Sequence, residues 1–315
     1  MADQVDEAFQ TRQSDGVLEV VAASLMAEDP SHITPEALID ACQYTARGKR
    51  GVTASVINAC IGACARTTTT TAAELALGLL DMVETKLDDV DPDMLTYALT
   101  YSAVQRQGRD EALADSILER AARQSKKMAG SSRRRALAAS RRKRVRQAMD
   151  CQEEIQSLLG QDFAVLSETK DFVVVSKPAG TVCHHAHATT SGKIGRKNAD
   201  ISLVDAMVQA NVPLSTINPQ ALGLVHRLDR GTSGCIILAK TDRMHARLVT
   251  EFFLRNVHKT YHTIVTPVPS RLEGTVDLPV DGRPAISDFE VMKKRGDDLA
   301  YMKMITRTGR KHQGK

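Results

Sequence analysis

The sequence predicts an α+β protein: an all-α first part of helical repeats, then a mixed, largely antiparallel-sheet domain. Three observations predict it. Apolar residues recur at helical spacing from about position 34 to 121. Period-2 alternation begins only at Phe163. A strongly basic segment, 123–146, separates the two patterns. The 315 residues allow one large or two ordinary domains. A composition of 42% hydrophobic and 25% charged residues excludes a disordered or fibrous chain.

Residues 1–18 are polar and read as frayed. PEALIDACQYTA, TASVINACIGACA, AAELALGLLDMVET, LTYALTYSAVQRQG and DEALADSILERAA each place apolar residues at i, i+3, i+4 and i+7. They read as short antiparallel helices joined by turns. A weak internal repeat, offset by 43 residues, relates the helix opening at Thr53 to one opening at Thr96. Paired helices at such a period indicate a solenoid. CQEEIQSLLG suggests a helix running up to Gly160. FAVLS and DFVVVSKPAG then read as strands ending at a Pro-Gly turn. Residues 184–200 form a polar loop, and SLVDAMVQAN an amphipathic helix capped by Ser202. LGLVHRLDRGTSGCIILAKT reads as strand, loop, strand. A helix over 242–255 and a strand in HKTYHTIVTPV follow. DFEVMKKR and AYMKMITRTGR are paired strands around the turn Gly296-Asp297-Asp298.

The net charge of +4 hides segregation by sign. Residues 1–122 carry −11, residues 123–146 carry +11 and the remainder +4. Separate modules joined by a basic segment are expected: 1–122 helical, 123–160 a basic helical linker, 161–315 the α+β domain. The linker contains KK, RRR and RRKR. Such a run is an RNA-touching tail, a nuclear import signal or a solvated helix. No apolar run approaches the roughly 20 residues of a membrane helix. The acidic start, MADQVDEAFQ, lacks both a signal core and transit-peptide character, so a cytoplasmic or nuclear location is the default. The six cysteines include no C-x-x-C pair and read as reduced, mostly buried thiols. His184, His185 and His187 read as a solvated loop rather than a metal site, for want of an acidic partner.

PDMLTYALTYSAVQRQGRDEALADSILERA resembles a pentatricopeptide repeat, which bears Pro-Asp before a helix opening in Thr-Tyr. That family binds single-stranded RNA, one base per repeat. The resemblance covers two or three units, and the acidic surface opposes phosphate binding. A partner-binding helical array and an RNA reader both remain open.

In HRLDRGTSG, residues 226–234, Asp229 sits between Arg227 and Arg230. Cationic neighbours favour the ionised carboxylate, which suits a nucleophile or an anion stabiliser, although a structural Arg–Asp pair would look the same. Residues 161–315 resemble the RluA-type pseudouridine synthases. SKPAG at 176–180 resembles that family's opening turn, and GLVHRLDRGTSGCIILAKT at 223–241 its catalytic motif. FLRNVHKTYHTIV at 253–265 resembles its Arg-x-x-x-Lys-x-Tyr strand, and TGRKHQ at 308–313 the start of its third motif. The resemblance implies isomerisation of uridine to pseudouridine in ribosomal or transfer RNA, without cofactor or metal. It makes Asp229 the essential aspartate and Tyr261 the tyrosine that stacks on the flipped base. Arg227 would hold the flipped state, while Arg230 and Thr232 would shape the loop. His226 would order the loop or meet RNA, and Arg310 would contact RNA. Lys315 stands where the family has an Arg paired with the catalytic Asp, so the catalytic domain reads as incomplete at its C-terminus. The rival reading is a catalytically weak RNA-binding protein using the same fold.

Overall fold

The structure, a computed structural model, describes residues 34–35, 37–38, 53–87, 90–108, 111–128, 146–185, 201–282, 284–310 and 313. The chain divides into two compact units, residues 1–250 and 251–315. The architecture is mixed α+β, and every described strand pairing is antiparallel.

The first unit opens with four helices: α1 (Ala54–Arg66), α2 (Thr70–Thr85), α3 (Met94–Gln105) and α4 (Glu111–Met128). In α1 every residue from Val56 to Ala65 is buried. Its Ala, Gly and Cys side chains are small enough for α2 and α3 to pack close on either side. Asp93 caps α3 by accepting from Thr96 N at 2.9 Å, and the Thr96 hydroxyl accepts from Asp93 N at 3.1 Å. Thr53, by contrast, is the residue before α1. The two threonines that suggested the 43-residue repeat therefore occupy different helix positions. The helix expected over PEALIDACQYTA lies almost wholly outside the described residues, as does most of the basic segment 123–146.

These helices share a core with later parts of the chain. Tyr97, Tyr101, Val104, Ile117 and Leu118 pack with Ile217 and Ala246. Ala246 belongs to α7 (Asp242–Phe253). The Ser102 hydroxyl donates to Thr250 Oγ1 at 2.9 Å, in a buried site. Arg243 pairs with Asp115 at 2.6 Å and with Glu111. The first unit thus runs through the basic segment because apolar burial crosses it.

After a 3-10 turn (Met149–Cys151) comes α5 (Gln152–Leu159), whose chain leaves the helix at Gly160. The helix expected up to Gly160 is present, whereas residues 146–148 are not helical, so the linker expected to be helical over 123–160 is interrupted there. Strands β1 (Ala164–Glu168), β2 (Phe172–Lys177) and β3 (Gly234–Ala239) form a sheet in that order. Ile155 of α5 and Leu203, Ala206 and Met207 of α6 (Leu203–Gln209) cover it, packing on Val173, Val175, Ile236 and Leu238. Ser202 caps α6 in a capping box with Asp205. The strand expected over LGLVH is only an isolated Leu224–Leu238 bridge. Gly223 turns the chain there at φ +64°, its N–H held by Ser215 O and its C=O by Ala239 N.

The second unit is a four-stranded sheet in the order β4 (Thr260–Val265), β7 (Leu299–Thr306), β6 (Ile286–Arg295), β5 (Glu273–Asp277). β6 and β7 form the expected hairpin, with a register shift between Val291 and Lys293. β5 was not expected, because EGTVD lacks apolar alternation. No described helix is long and apolar enough to cross a membrane.

Candidate functional site

The β2–β3 register places the loop around Asp229. Lys177, the last residue of β2, pairs with Gly234, the first of β3. The HRLDRGTSG loop therefore enters β3 beside the SKPAG turn. Loop backbone cannot form a ladder here, so its polar groups need other partners. They have them. His226 Nε2 accepts from Ile237 N at 3.0 Å, which makes the ring neutral with its proton on Nδ1. The Cys183 thiol lies 3.3 Å from both Leu228 N and Leu228 O. Arg230 O accepts from Gly180 N at 2.7 Å, and Thr232 N donates to Asp229 O at 3.1 Å.

Lys177 is the least conventional of these partners. Its side chain is fully buried, yet it carries an ammonium. That group donates to Pro178 O and Thr181 O at 2.8 Å each and reaches Arg230 O at 3.4 Å. Burial pushes its pKa down, and the charge of Asp229 opposes that push. A buried lysine satisfied by carbonyls ties the SKPAG turn to the Asp229 loop and sets a positive charge near it.

The loop leaves its functional side chains accessible. Arg227 and Arg230 are exposed, while His226, Asp229 and Thr232 are half-buried. Asp229 thus has a fixed main chain and a side chain within reach of a ligand, and Gly231 is open to solvent. A carboxylate so held, with cations on either side, can act as a nucleophile toward an electron-poor carbon.

The other sequence-singled residues belong to the second unit. Tyr261 is half-buried on β4, opposite Met304 of β7. Lys259, two residues before it, donates to Thr308 O at 3.3 Å, and burial pushes its pKa down. Arg310 Nε donates to Pro284 O at 2.9 Å. Lys315 lies outside the described residues. Within TGRKHQ, Gln313 does more than the reading foresaw. Its amide donates to Ile286 O and Ser287 Oγ at 2.9 Å each. Its carbonyl accepts from Thr308 Oγ1 at 2.7 Å and Arg310 N at 2.9 Å. That side chain fastens the motif to the start of β6.

Sequence reading also missed Lys177 and Cys183. A lysine at a strand end ordinarily reads as solvated, and Cys183 as a bland core thiol. Five free cysteines are described, and four of them are buried. His185 does have an acidic neighbour, Asp205, with Nε2 3.7 Å from Oδ2. His187 lies outside the described residues. Among the described residues no group of three or more His, Cys, Asp or Glu side chains could hold a metal ion.

Residues 171–315 match the family described as RNA pseudouridylate synthase. An uncharacterised RNA pseudouridine synthase of Bacillus subtilis is 31% identical over 167 residues, covering 48% of this chain and 52% of that protein. The ribosomal large subunit pseudouridine synthase D of Pseudomonas aeruginosa is 31% identical over 182 residues, covering 52% and 53%. Among solved structures, human RNA pseudouridylate synthase domain containing 4 aligns at 24% identity with a TM-score of 0.37, over 50% of this chain and 63% of that one. The chain spans about half the length of the curated relatives it matches.

Proposed function

We propose that the second half of this chain is an RluA-type RNA pseudouridine synthase domain and that the chain isomerises uridine to pseudouridine in RNA, with Asp229 as nucleophile. The observation that carries the proposal is the Asp229 loop. Its main chain is held by Lys177, Gly180 and Cys183 and its His226 ring by Ile237 N, while Asp229 stays half-buried, flanked in sequence by two exposed arginines. A flexible loop could not hold a nucleophile in register with a nucleotide turned out of its stack.

The reaction is internally balanced. Asp229 attacks the flipped nucleotide as the bond from uracil N1 to the ribose breaks. The uracil turns and rejoins the ribose through C5 as the bond to Asp229 breaks and the carboxylate is released. The C5 proton leaves and N1 gains one, so neither oxidant nor water is consumed. Tyr261 stacks on the base and takes the C5 proton, and Arg227 holds the flipped state. His226, Arg230 and Thr232 shape the loop, and Arg310 meets RNA. Lys315 would serve as the cationic partner of the aspartate. The exposed charge of Arg227 and Arg230 suits a polyanionic substrate, ribosomal or transfer RNA. Helices α1–α4, a pentatricopeptide-like array, would contact RNA or a protein partner.

The test uses the full-length protein with ribosomal and transfer RNA transcripts. Digestion and chromatography of the nucleosides should show pseudouridine with wild type and none with Asp229→Ala. Wild type matching Asp229→Ala would leave an RNA-binding protein without the activity.

A further inference from the structure

Leu228, the residue before Asp229, presents its N–H and its C=O on the same side, as an extended residue does toward a neighbouring strand. Among the described residues no strand lies there, and the ladder contact of this segment is the isolated Leu224–Leu238 bridge. The Cys183 sulfur stands in for the missing partner, accepting from Leu228 N and donating to Leu228 O, each at 3.3 Å. The cysteine is itself anchored. Its carbonyl accepts from Val204 N at 3.1 Å, and Val182 O accepts from Leu203 N at 2.9 Å, both at the start of α6. The side chain is 4% exposed, so water cannot replace it.

We propose that Cys183 is a positioning residue for the isomerisation: its neutral thiol fixes the Leu228 peptide to helix α6 and thereby sets the direction of the Asp229 carboxylate. The proposal rests on the functional reading above. Few side chains can perform this task. A thiol has one proton to donate and lone pairs to accept, on an atom large enough to span both groups. Valine or alanine would leave two buried main-chain groups without partners. A thiolate could accept but not donate, and burial, assisted by the charge of Asp229, holds the group above the ordinary thiol pKa against the downward pull of the Leu228 N–H bond, Lys177 and Arg227. Serine supplies the same donor and acceptor on a shorter bond, which makes it the conservative replacement.

The experiment compares wild type, Cys183→Ala and Cys183→Ser in the full-length protein. One readout is amide hydrogen exchange over 224–234, followed by mass spectrometry. The other is the kcat and KM of pseudouridine formation. Cys183→Ala should speed exchange in this segment about tenfold and lower kcat about tenfold, with KM within about twofold, because the partner lost is worth roughly one factor of ten. Cys183→Ser should recover most of both. Unchanged exchange in Cys183→Ala overturns the proposal whatever its activity. Faster exchange with unchanged kcat also overturns it, since the loop would then be held without consequence for Asp229. If wild type makes no pseudouridine, the functional reading falls, and the exchange comparison alone decides whether Cys183 fastens the loop.

Discussion

Replacing Lys240 by Met tests the buried charge cluster that fastens the chain at 147–149 to the β1–β2–β3 sheet. Lys240 directly follows β3. Its ammonium donates to Glu168 Oε1 and Gln147 Oε1 at 2.7 Å each and to Thr169 O at 2.9 Å. The Lys240 and Glu168 side chains are 3% and 4% exposed, so water has no access once the pair is broken. Glu168 also accepts from Ala148 N at 3.0 Å and Met149 N at 2.9 Å, at the turn that leads into α5. Methionine keeps most of the lysine stem and lacks the ammonium. The variant therefore leaves a buried carboxylate with two amides and no cation. Removing one partner of a buried pair costs about 3–5 kcal/mol, and the surviving amides place this case near the lower end, about 3 kcal/mol. The pH dependence has a defined sign. Burial alone would raise the Glu168 pKa, but the bonds from Lys240 and the two amides outweigh it and hold the carboxyl below its usual range. Stability from Glu168 is thus present above its unfolded pKa of about 4.3 and lost as pH falls through the lower folded value. In the variant the carboxyl protonates at higher pH, so the deficit against wild type shrinks in acid. Urea unfolding followed by circular dichroism, at neutral pH and near pH 4.5, measures both. A deficit below about 1 kcal/mol at neutral pH, or one that grows in acid, refutes the reasoning.

Two further perturbations address other links. Gly223→Ala should destabilise by more than about 2 kcal/mol, read as a lowered thermal midpoint. A Cβ there would lie 2.5 Å from Ala239 O, at φ +64°; a midpoint equal to wild type would contradict the turn geometry. His245 of α7 is 1% exposed, and burial pushes its pKa down to about 4, against a smaller upward pull from Asp242. The unfolded chain therefore binds a proton from about pH 6.5 that the folded chain refuses until about 4, so stability falls across that window by roughly 3 kcal/mol. His245→Leu should flatten the urea midpoint between those pH values, and an equally steep decline in the variant would count against a buried neutral ring.

The first half was legible because its helices carry uninterrupted apolar spacing. The all-round burial of α1 is foreshadowed by its run of small and apolar residues from Val56 to Ala65. The Ser202–Asp205 capping box could be read for the same local reason. What was not legible depends on distant partners. LGLVH is apolar enough for a strand, but its main chain turns instead: Gly223 N donates to Ser215 O, Leu224 N to Ala221 O, and Gly223 O accepts from Ala239 N. Lys177 gives no sign in sequence that it is buried on three carbonyls. Gln313 appears only as one letter of a motif, although it bonds residues 26 and 27 positions away. β5 was missed because Glu273, Thr275 and Asp277 leave no apolar face to detect. The position of Asp229 could be anticipated from its motif, whereas the groups that hold it could not.

In the proposed reaction Asp229 drives an isomerisation that exchanges the C5 proton of uridine. Its most direct measurement is tritium release from RNA carrying uridine labelled at C5, with wild type and Asp229→Asn compared at equal concentration. Asparagine keeps the size of the side chain and removes the nucleophilic charge, so the loop held by Lys177 and Cys183 should persist. Wild type should release tritium into water stoichiometrically, and Asp229→Asn should lose more than about a hundredfold of that release. Equal release by the two proteins, or none by either, would contradict that role of Asp229.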